Sequence, residues 1–291
     1  MNRELRAIKV AIACAVIGVS TKAVLGVITG SMTMVSSAVD SGGDLMVSLV
    51  NLFVVRIAAR EPDDEHNYGH AKAEGLGAMF EGGFIFAAGV FILYEAIHKA
   101  IIGENSHDSV LGIVVMLPLL AITVATVAYL RRVARETGSL VIKADALHYA
   151  TDVYMNLGVL LALSLVWLTG EPLIDTVISI AIALYMLYSA THVVREGLDV
   201  VMEKSLDPAL VARIRKVLEA SRDQRTIESF HDFKTRGGKI PHVDFHVVVR
   251  PEMTAREVHA LYLALRATIR DIVSPTTKVL MHTDPVEHAP S

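Results

Sequence analysis

Two pairs of ionisable residues stand inside long apolar runs of the chain, where a membrane helix should carry no charge. The first pair is Asp40 and Asp44, and the second is His148 and Asp152. Residues four apart lie on one face of a helix, about 5–6 Å apart at Cβ. Since a charge at mid-bilayer costs at least about 2.5–3.5 kcal/mol, we expect a cation or protons to neutralise these side chains.

Three carboxylates and one imidazole could form a tetrahedral site for Zn²⁺. Gly42 and Gly43 lie between the two aspartates, which predicts that another helix approaches closely there. As an alternative, each pair could be a structural polar contact or could face a water-filled cavity. Two pairs with helical spacing on separate apolar runs favour an ion carrier over either alternative.

The composition places the chain in a membrane. It has 291 residues, of which 53% are hydrophobic, too many for an ordinary soluble protein of this length. The net charge of −4 gives no indication of a nucleic acid partner. The single cysteine, Cys14, excludes a disulfide within the chain and a cysteine-rich metal site. The first apolar stretch contains Lys22 and lacks a persuasive cleavage site, so we interpret it as a retained span and not a signal peptide.

Six segments are long enough to cross about 30 Å of hydrocarbon as helices. They are Ala7–Thr29, Met34–Ala58, Gly77–Ile102, Val110–Leu130, Leu140–Leu168 and Leu173–Val194. Basic residues accumulate on one side of these spans, which predicts a multi-pass protein of the cell inner membrane with both termini in the cytoplasm. The cytoplasmic set is Arg3, Arg6, Lys9, Arg56, Arg60, Lys72, Arg131, Arg132, Arg135 and Lys143, against Lys99 on the other side.

The composition changes after about Ser205, which divides the chain into a six-helix transmembrane domain (1–204) and a cytoplasmic domain (205–291). The pattern of the second domain predicts the order α-β-β-α-β, a small α+β domain with its helices on one sheet face. The predicted elements are a helix over 208–221, a weaker strand over Ile227–Thr235, a strand over His242–Val249, a helix over Ala255–Ile272 and a strand over Thr277–Met281.

Two further groups of residues could bind metal. One is the cytoplasmic loop that contains Asp63, His66 and His70, although acid-rich loops of this kind are often only solvated. The other is spread through the cytoplasmic domain. On its central strand His242, Asp244 and His246 share one face, and Val243, Phe245 and Val247 share the other. The histidines and acids of this second group are His231, Asp232, His242, His246, His259, His282 and Asp284.

Three motifs, Ser37–Asp44, Asp64–Glu74 and Ala144–Asp152, resemble those of the cation diffusion facilitator family. The resemblance covers nearly the whole chain and implies six spans followed by a metallochaperone-like domain in a homodimeric, proton-coupled exporter of divalent metals. The connection Arg131–Gly138 lacks a histidine-rich insert, which favours a prokaryotic-type member. The resemblance implies three metal sites: Asp40, Asp44, His148 and Asp152 for transport; Asp63, His66 and His70 in the loop; and His231, His246, His282 and Asp284 in the cytoplasmic domain, with His259 as a further ligand.

The sequence therefore predicts a metal/proton antiporter that exports a Zn²⁺-type metal. An unperturbed imidazole has a pKa near 6.5, and metal binding requires it neutral, so metal and proton exclude each other at His148. No ATP-binding motif is present and no enzymatic step is expected. One alternative keeps the transporter but changes the ion to Fe²⁺, Mn²⁺, Cd²⁺, Co²⁺ or Ni²⁺. Another is a membrane-anchored metal sensor, although a tether needs no buried carboxylates.

Overall fold

The structure is a computed structural model that describes residues 2–29, 32–102, 110–169 and 173–286, apart from some side chains within these ranges, that of Asp40 among them. Contacts between residues divide the chain into two compact units, Met1–Leu198 and Asp199–Ser291. The first unit is built from six long helices: α1 (Asn2–Thr29), α2 (Met32–Ala58), α3 (Ala73–Ile102), α4 (Val110–Thr137), α5 (Leu140–Thr169) and α6 (Leu173–Val201).

Five of these helices, α1, α2, α3, α4 and α6, are long and apolar enough to cross a membrane, judged over the residues that the structure describes. The other, α5, has 30 residues. Its first half carries Lys143, Asp145 and Asp152 together with His148. The helices follow one another in the order that the sequence predicts, and the predicted helical membrane domain is confirmed.

Small residues set how closely the helices of this unit pack. Ala7 and Ala11 of α1 are fully buried in a core shared with α2, α4 and α5. On α6, a Cβ added to Gly197 would lie 2.6 Å from the carbonyl oxygen of Gly75, so α3 and α6 approach closely at this glycine. Of the two glycines predicted to allow a close approach, a Cβ added to Gly43 would lie 3.9 Å from the ring of Phe84 on α3, and one added to Gly42 would meet no described atom within 4 Å.

The second unit has the predicted order of elements: α7 (Pro208–Asp223), β1 (Ser229–Arg236), β2 (His242–Val249), α8 (Ala255–Ile272) and β3 (Lys278–Pro285). The sheet order is β1-β2-β3. Strands β1 and β2 are antiparallel, whereas β2 and β3 are parallel. Parallel neighbours need a crossover, which α8 supplies. Local capping fixes the start of α8, where Thr254 accepts from the Glu257 amide and Glu257 reaches back to the Thr254 backbone.

Alternation along β2 gives the sheet one apolar face and one polar face. Val243, Phe245 and Val247 are at most 1% exposed. They belong to one core with buried side chains of α7 and α8 such as Ile214 and Ile269. Burying a side chain of the size of Phe245 is worth about 1.5–3 kcal/mol. His246 alternates with these residues and therefore lies on the opposite, partly exposed face, as the sequence predicts.

Candidate metal centres

Three of the four residues proposed for ion transport lie together in the first unit. Asp44 comes from α2, and His148 and Asp152 come from α5. One potential ligand atom from each of the three lies within 4.8 Å of the other two. Nε2 of His148 lies 3.1 Å from Oδ1 of Asp44. The fourth residue, Asp40, belongs to α2, one turn before Asp44, and its side chain lies outside the described residues.

A hydrogen-bond chain fixes α5 beside this cluster. The Tyr149 hydroxyl donates to the carbonyl of Ala11 on α1 at 2.8 Å. The hydroxyls of Ser48, on α2, and Tyr149 are 3.1 Å apart. Because Tyr149 follows His148 directly, these bonds limit how far α5 can rotate and therefore orient His148. The ring of Phe84, on α3, lies 5.9 Å from the His148 ring, centroid to centroid.

The cluster offers the types of ligand atom that divalent cations bind. His148 is 5% exposed, so its ring is largely withdrawn from the surface. Two carboxylates and one imidazole supply the hard oxygen and borderline nitrogen ligands that Zn²⁺ accepts in tetrahedral sites. The same donor set also accepts neighbouring first-row metals, whose discrimination depends on geometry and availability.

A second polar cluster of the same unit joins three helices and was not assigned a role from the sequence. Asn51 of α2 donates from Nδ2 to Glu81 of α3 at 3.1 Å and to Asp145 of α5 at 3.2 Å. All three residues are fully buried. Glu81 is an acid within a predicted span, and this signal could have identified it from the sequence. Asp145 belongs to a motif that carried the family resemblance.

The loop residues Asp63, His66 and His70 also lie close together, with potential ligand atoms within 4.8 Å of one another. The two carboxylate oxygens of Asp63 lie 3.5 Å from His66 Nδ1 and 3.4 Å from His70 Nε2. The backbone N–H of His66 donates to Asp63 at 2.7 Å. This hydrogen bond, with the nearby imidazoles when they are charged, lowers the pKa of Asp63, so its carboxylate is anionic near neutrality.

In the cytoplasmic unit, strand register places three histidines side by side. His231 of β1 is paired with His246 of β2, and His246 is paired with His282 of β3. Asp284 joins all three, since its carboxylate lies 3.2 Å from His231, 3.0 Å from His246 and 3.4 Å from His282. One ligand atom from each of His231, His246 and Asp284 lies within 4.8 Å of the other two.

Electrostatics at this cluster favour a bound cation. The hydrogen bond from His246, and the charges of the three imidazoles when protonated, lower the pKa of Asp284. Asp232 lies at the bulge between His231 and Lys234, with a left-handed φ of 48°. Its oxygen is 3.8 Å from His246 Nε2, and its pKa is lowered chiefly by the hydrogen bond from Lys234. Both carboxylates are therefore anionic near neutrality.

His259 lies apart from the three-histidine row. It is exposed on α8, and its ring centroid is 6.2 Å from that of Tyr262. His259 and Asp284 both line a cavity of about 620 Å³ beside the sheet. His242, which the sequence grouped with these histidines, instead contacts Arg236 and the carbonyl of Ile240. Its pKa is lowered chiefly by burial.

Comparisons with known proteins agree with this division of the chain. Residues 8–202 match a family described as the cation efflux transmembrane domain, and residues 206–286 match the cytoplasmic domain of cation efflux proteins. An uncharacterized transporter of Synechocystis sp. is 31% identical over 261 residues, covering 89% of this chain and 83% of the relative. The cation-efflux pump FieF of Yersinia pestis is 32% identical over 263 residues, covering 90% and 86%. A solved structure of CzrB in its Zn form is 29% identical and covers 30% of this chain and 98% of that one, with a TM-score of 0.27.

Proposed function

The chain belongs to the cation diffusion facilitator family, whose members are cation efflux proteins, and we propose that it exports a Zn²⁺-type divalent metal from the cytoplasm in exchange for protons. The family consists of membrane transporters and not of enzymes.

The cluster of Asp44, His148 and Asp152 is the observation that carries the proposal. Its potential ligand atoms come from two helices of the membrane unit and lie within 4.8 Å of one another. Placing an ionisable residue within a membrane helix costs free energy, and such residues usually mark an ion pathway. Asp40, one helical turn before Asp44, is the proposed fourth ligand.

Competition between metal and protons supplies the exchange. A metal ligand must be deprotonated, so a proton on His148 or on a carboxylate displaces the metal, and the metal displaces the proton. When the cluster faces the cytoplasm, metal binds and protons leave. When helix movement exposes it to the other side, protons bind and metal leaves. We propose this alternation as the transport cycle, with the residues of the cluster as the ligands of the transported metal.

Zn²⁺ is the proposed ion because one nitrogen and three oxygen ligands suit its tetrahedral preference. Fe²⁺, Mn²⁺, Cd²⁺, Co²⁺ and Ni²⁺ remain alternatives that use the same residues. The row of His231, His246 and His282 with Asp284 is a proposed cytoplasmic metal site, and Asp63, His66 and His70 form a proposed loop site. The match to the cytoplasmic domain of cation efflux proteins supports a homodimer.

Metal flux into proteoliposomes tests the proposal. Purified protein is reconstituted with a zinc-sensitive dye inside the vesicles, and a proton gradient of either direction is imposed. We expect zinc uptake that accelerates when the vesicle lumen is acidic, and matching proton efflux reported by a pH dye. Asp44→Ala and Asp152→Ala should abolish both fluxes, since each removes one proposed ligand.

Asp64→Ala is the matched control, because Asp64 is exposed in the loop and stands outside the three proposed metal groups. It should retain the parental fluxes. Zinc transport that ignores the proton gradient would contradict the antiport, and parental transport in Asp44→Ala would contradict the assignment of the site.

A further inference from the structure

The polar cluster of Asn51, Glu81 and Asp145 has more acceptors than donors. The two N–H groups of the Asn51 amide are the only donors that the described structure provides to the two carboxylates, at 3.1 and 3.2 Å. One oxygen of each carboxylate, Oε1 of Glu81 and Oδ2 of Asp145, is buried without a hydrogen-bond partner among the described residues. Oδ1 of Asn51 is likewise unpartnered there.

Two negative charges are not stable in this arrangement. Both carboxylates are fully buried within helices of the membrane unit. Neither forms an ion pair with Lys or Arg in the described part of the chain. A buried charge without a partner becomes neutral by protonation instead of remaining ionised, and two carboxylates that share a site cannot both ionise freely. One proton would leave a single negative charge facing the Asn51 amide.

The surroundings favour Glu81 as the carrier of that proton. Asp145 stands one helical turn before His148 on α5, so it lies beside the proposed cation site, where positive charge favours its anionic form. Glu81 stands on α3, with the like charge of Asp145 across the amide. From α6, the atoms nearest to the neighbouring Gly82 of α3 belong to Ala190, Val193 and Val194. The titratable groups that act on the pair from α5 are His148, Tyr149 and Asp152.

We infer that Glu81 and Asp145, bridged by Asn51, form a proton-binding site distinct from the metal ligands, with the proton on Glu81. The pair takes a proton as its ligand and releases it to water when a divalent charge arrives at His148, one turn from Asp145. The O–H bond of Glu81 breaks, its electron pair stays on the carboxylate, and the charge of the pair changes from −1 to −2 beside the bound metal. The release step rests on the proposed metal/proton exchange, whereas the presence of the proton in the metal-free protein does not.

Infrared difference spectroscopy tests the site on the full chain in lipid nanodiscs. Near neutral pH and without metal, we expect a carbonyl band from a protonated carboxylic acid. Labelling glutamate with ¹³C should shift this band, because the proposed metal ligands of the membrane unit are aspartates and a histidine. Glu81→Gln should remove it, since glutamine preserves the shape but cannot take up a proton. Adding Zn²⁺ should remove it in the parent protein, and a pH dye should record one proton fewer per bound Zn²⁺ in Glu81→Gln.

Thr126→Ala is the matched control, because it removes a buried hydrogen-bonding side chain of α4 without removing a carboxyl group. It should keep both the band and the proton count. A cluster that only clamps the helices would give no glutamate band in the labelled parent protein, an outcome that overturns the inference even if Glu81→Gln fails to fold. If the glutamate band is present but Asp44→Ala still transports zinc, the transport-site proposal fails and the proton site stands.

Discussion

Replacing Asp44 by asparagine isolates the charge of one proposed ligand at nearly constant shape. The Asp44 carboxylate lies 3.1 Å from His148 Nε2 and belongs to the cluster of potential ligand atoms in α2 and α5. Structural zinc sites with four ligands bind with about 10–16 kcal/mol. Divided among four ligands, this is about 2.5–4 kcal/mol for each, and about 1.4 kcal/mol corresponds to a factor of ten in affinity. Complete loss of one ligand would therefore weaken binding about 10²–10³-fold.

Asparagine keeps a neutral carbonyl oxygen that can still contact the ion, so we expect the lower part of this range. At subsaturating zinc, the initial transport rate of Asp44→Asn in proteoliposomes should fall about 10²-fold. Asp64→Asn makes the same chemical change at an exposed loop position and should transport at the parental rate. A rate for Asp44→Asn within about twofold of the parent, well inside the factor of ten that 1.4 kcal/mol represents, would show that this carboxylate does not bind the metal.

Four other perturbations test separate parts of the structure. His148→Asp should lower the ratio of Zn²⁺ to Mn²⁺ transport in paired flux assays, because an all-oxygen site is harder; an unchanged ratio would argue against a nitrogen ligand. His246→Ala combined with His282→Ala should lower the metal bound per chain in equilibrium dialysis while Asp284 remains in place, and unchanged stoichiometry would contradict the cytoplasmic site. Thr254→Ala removes the cap of α8, worth about 1 kcal/mol, so amide exchange in α8 should become about fivefold faster. Unchanged exchange would mean that the cap does not contribute to the stability of α8. The folded-state pKa of Asp284 is lowered, so its contribution to stability is present above the ordinary aspartate pKa of about 3.9 and is lost as the pH falls through the lower folded value. Asp284→Asn, studied with a chelator, should therefore make amide exchange in β3 depend less steeply on pH below about pH 4. An equally steep dependence in the variant would contradict the lowered pKa.

The sequence predicts the helices of the membrane unit because a long apolar run in lipid must form its backbone hydrogen bonds internally, and a helix does so within one segment. It predicts the ends of the helices less well. The fourth span was predicted to end at Leu130, yet α4 continues to Thr137. Most of its residues after Leu130 are polar, and they gain an i,i+4 ion pair, with Arg132 2.9 Å from Glu136. Hydrophobicity defines the membrane-spanning segment, whereas hydrogen bonding and pairing define the helix.

The proposed sites differ in how far local sequence determines them. His148 and Asp152 share a helical turn, so their spacing alone places them together. Asn51, Glu81 and Asp145 come from three helices, and their cluster depends on how those helices pack. Sequence spacing carries no information about such packing. The cytoplasmic cluster is intermediate, because strand alternation predicts the polar face but only strand register aligns the histidines.

Strand order in the cytoplasmic unit has a consequence for synthesis on the ribosome. His231 and His246 lie on the antiparallel pair β1–β2, whereas His282 and Asp284 lie on β3, which pairs with β2 only after α8 has been made. A nascent chain that has not yet reached β3 presents two histidines without the carboxylate that joins them. The complete set of proposed ligands therefore forms only after β3 has been made and has paired with β2.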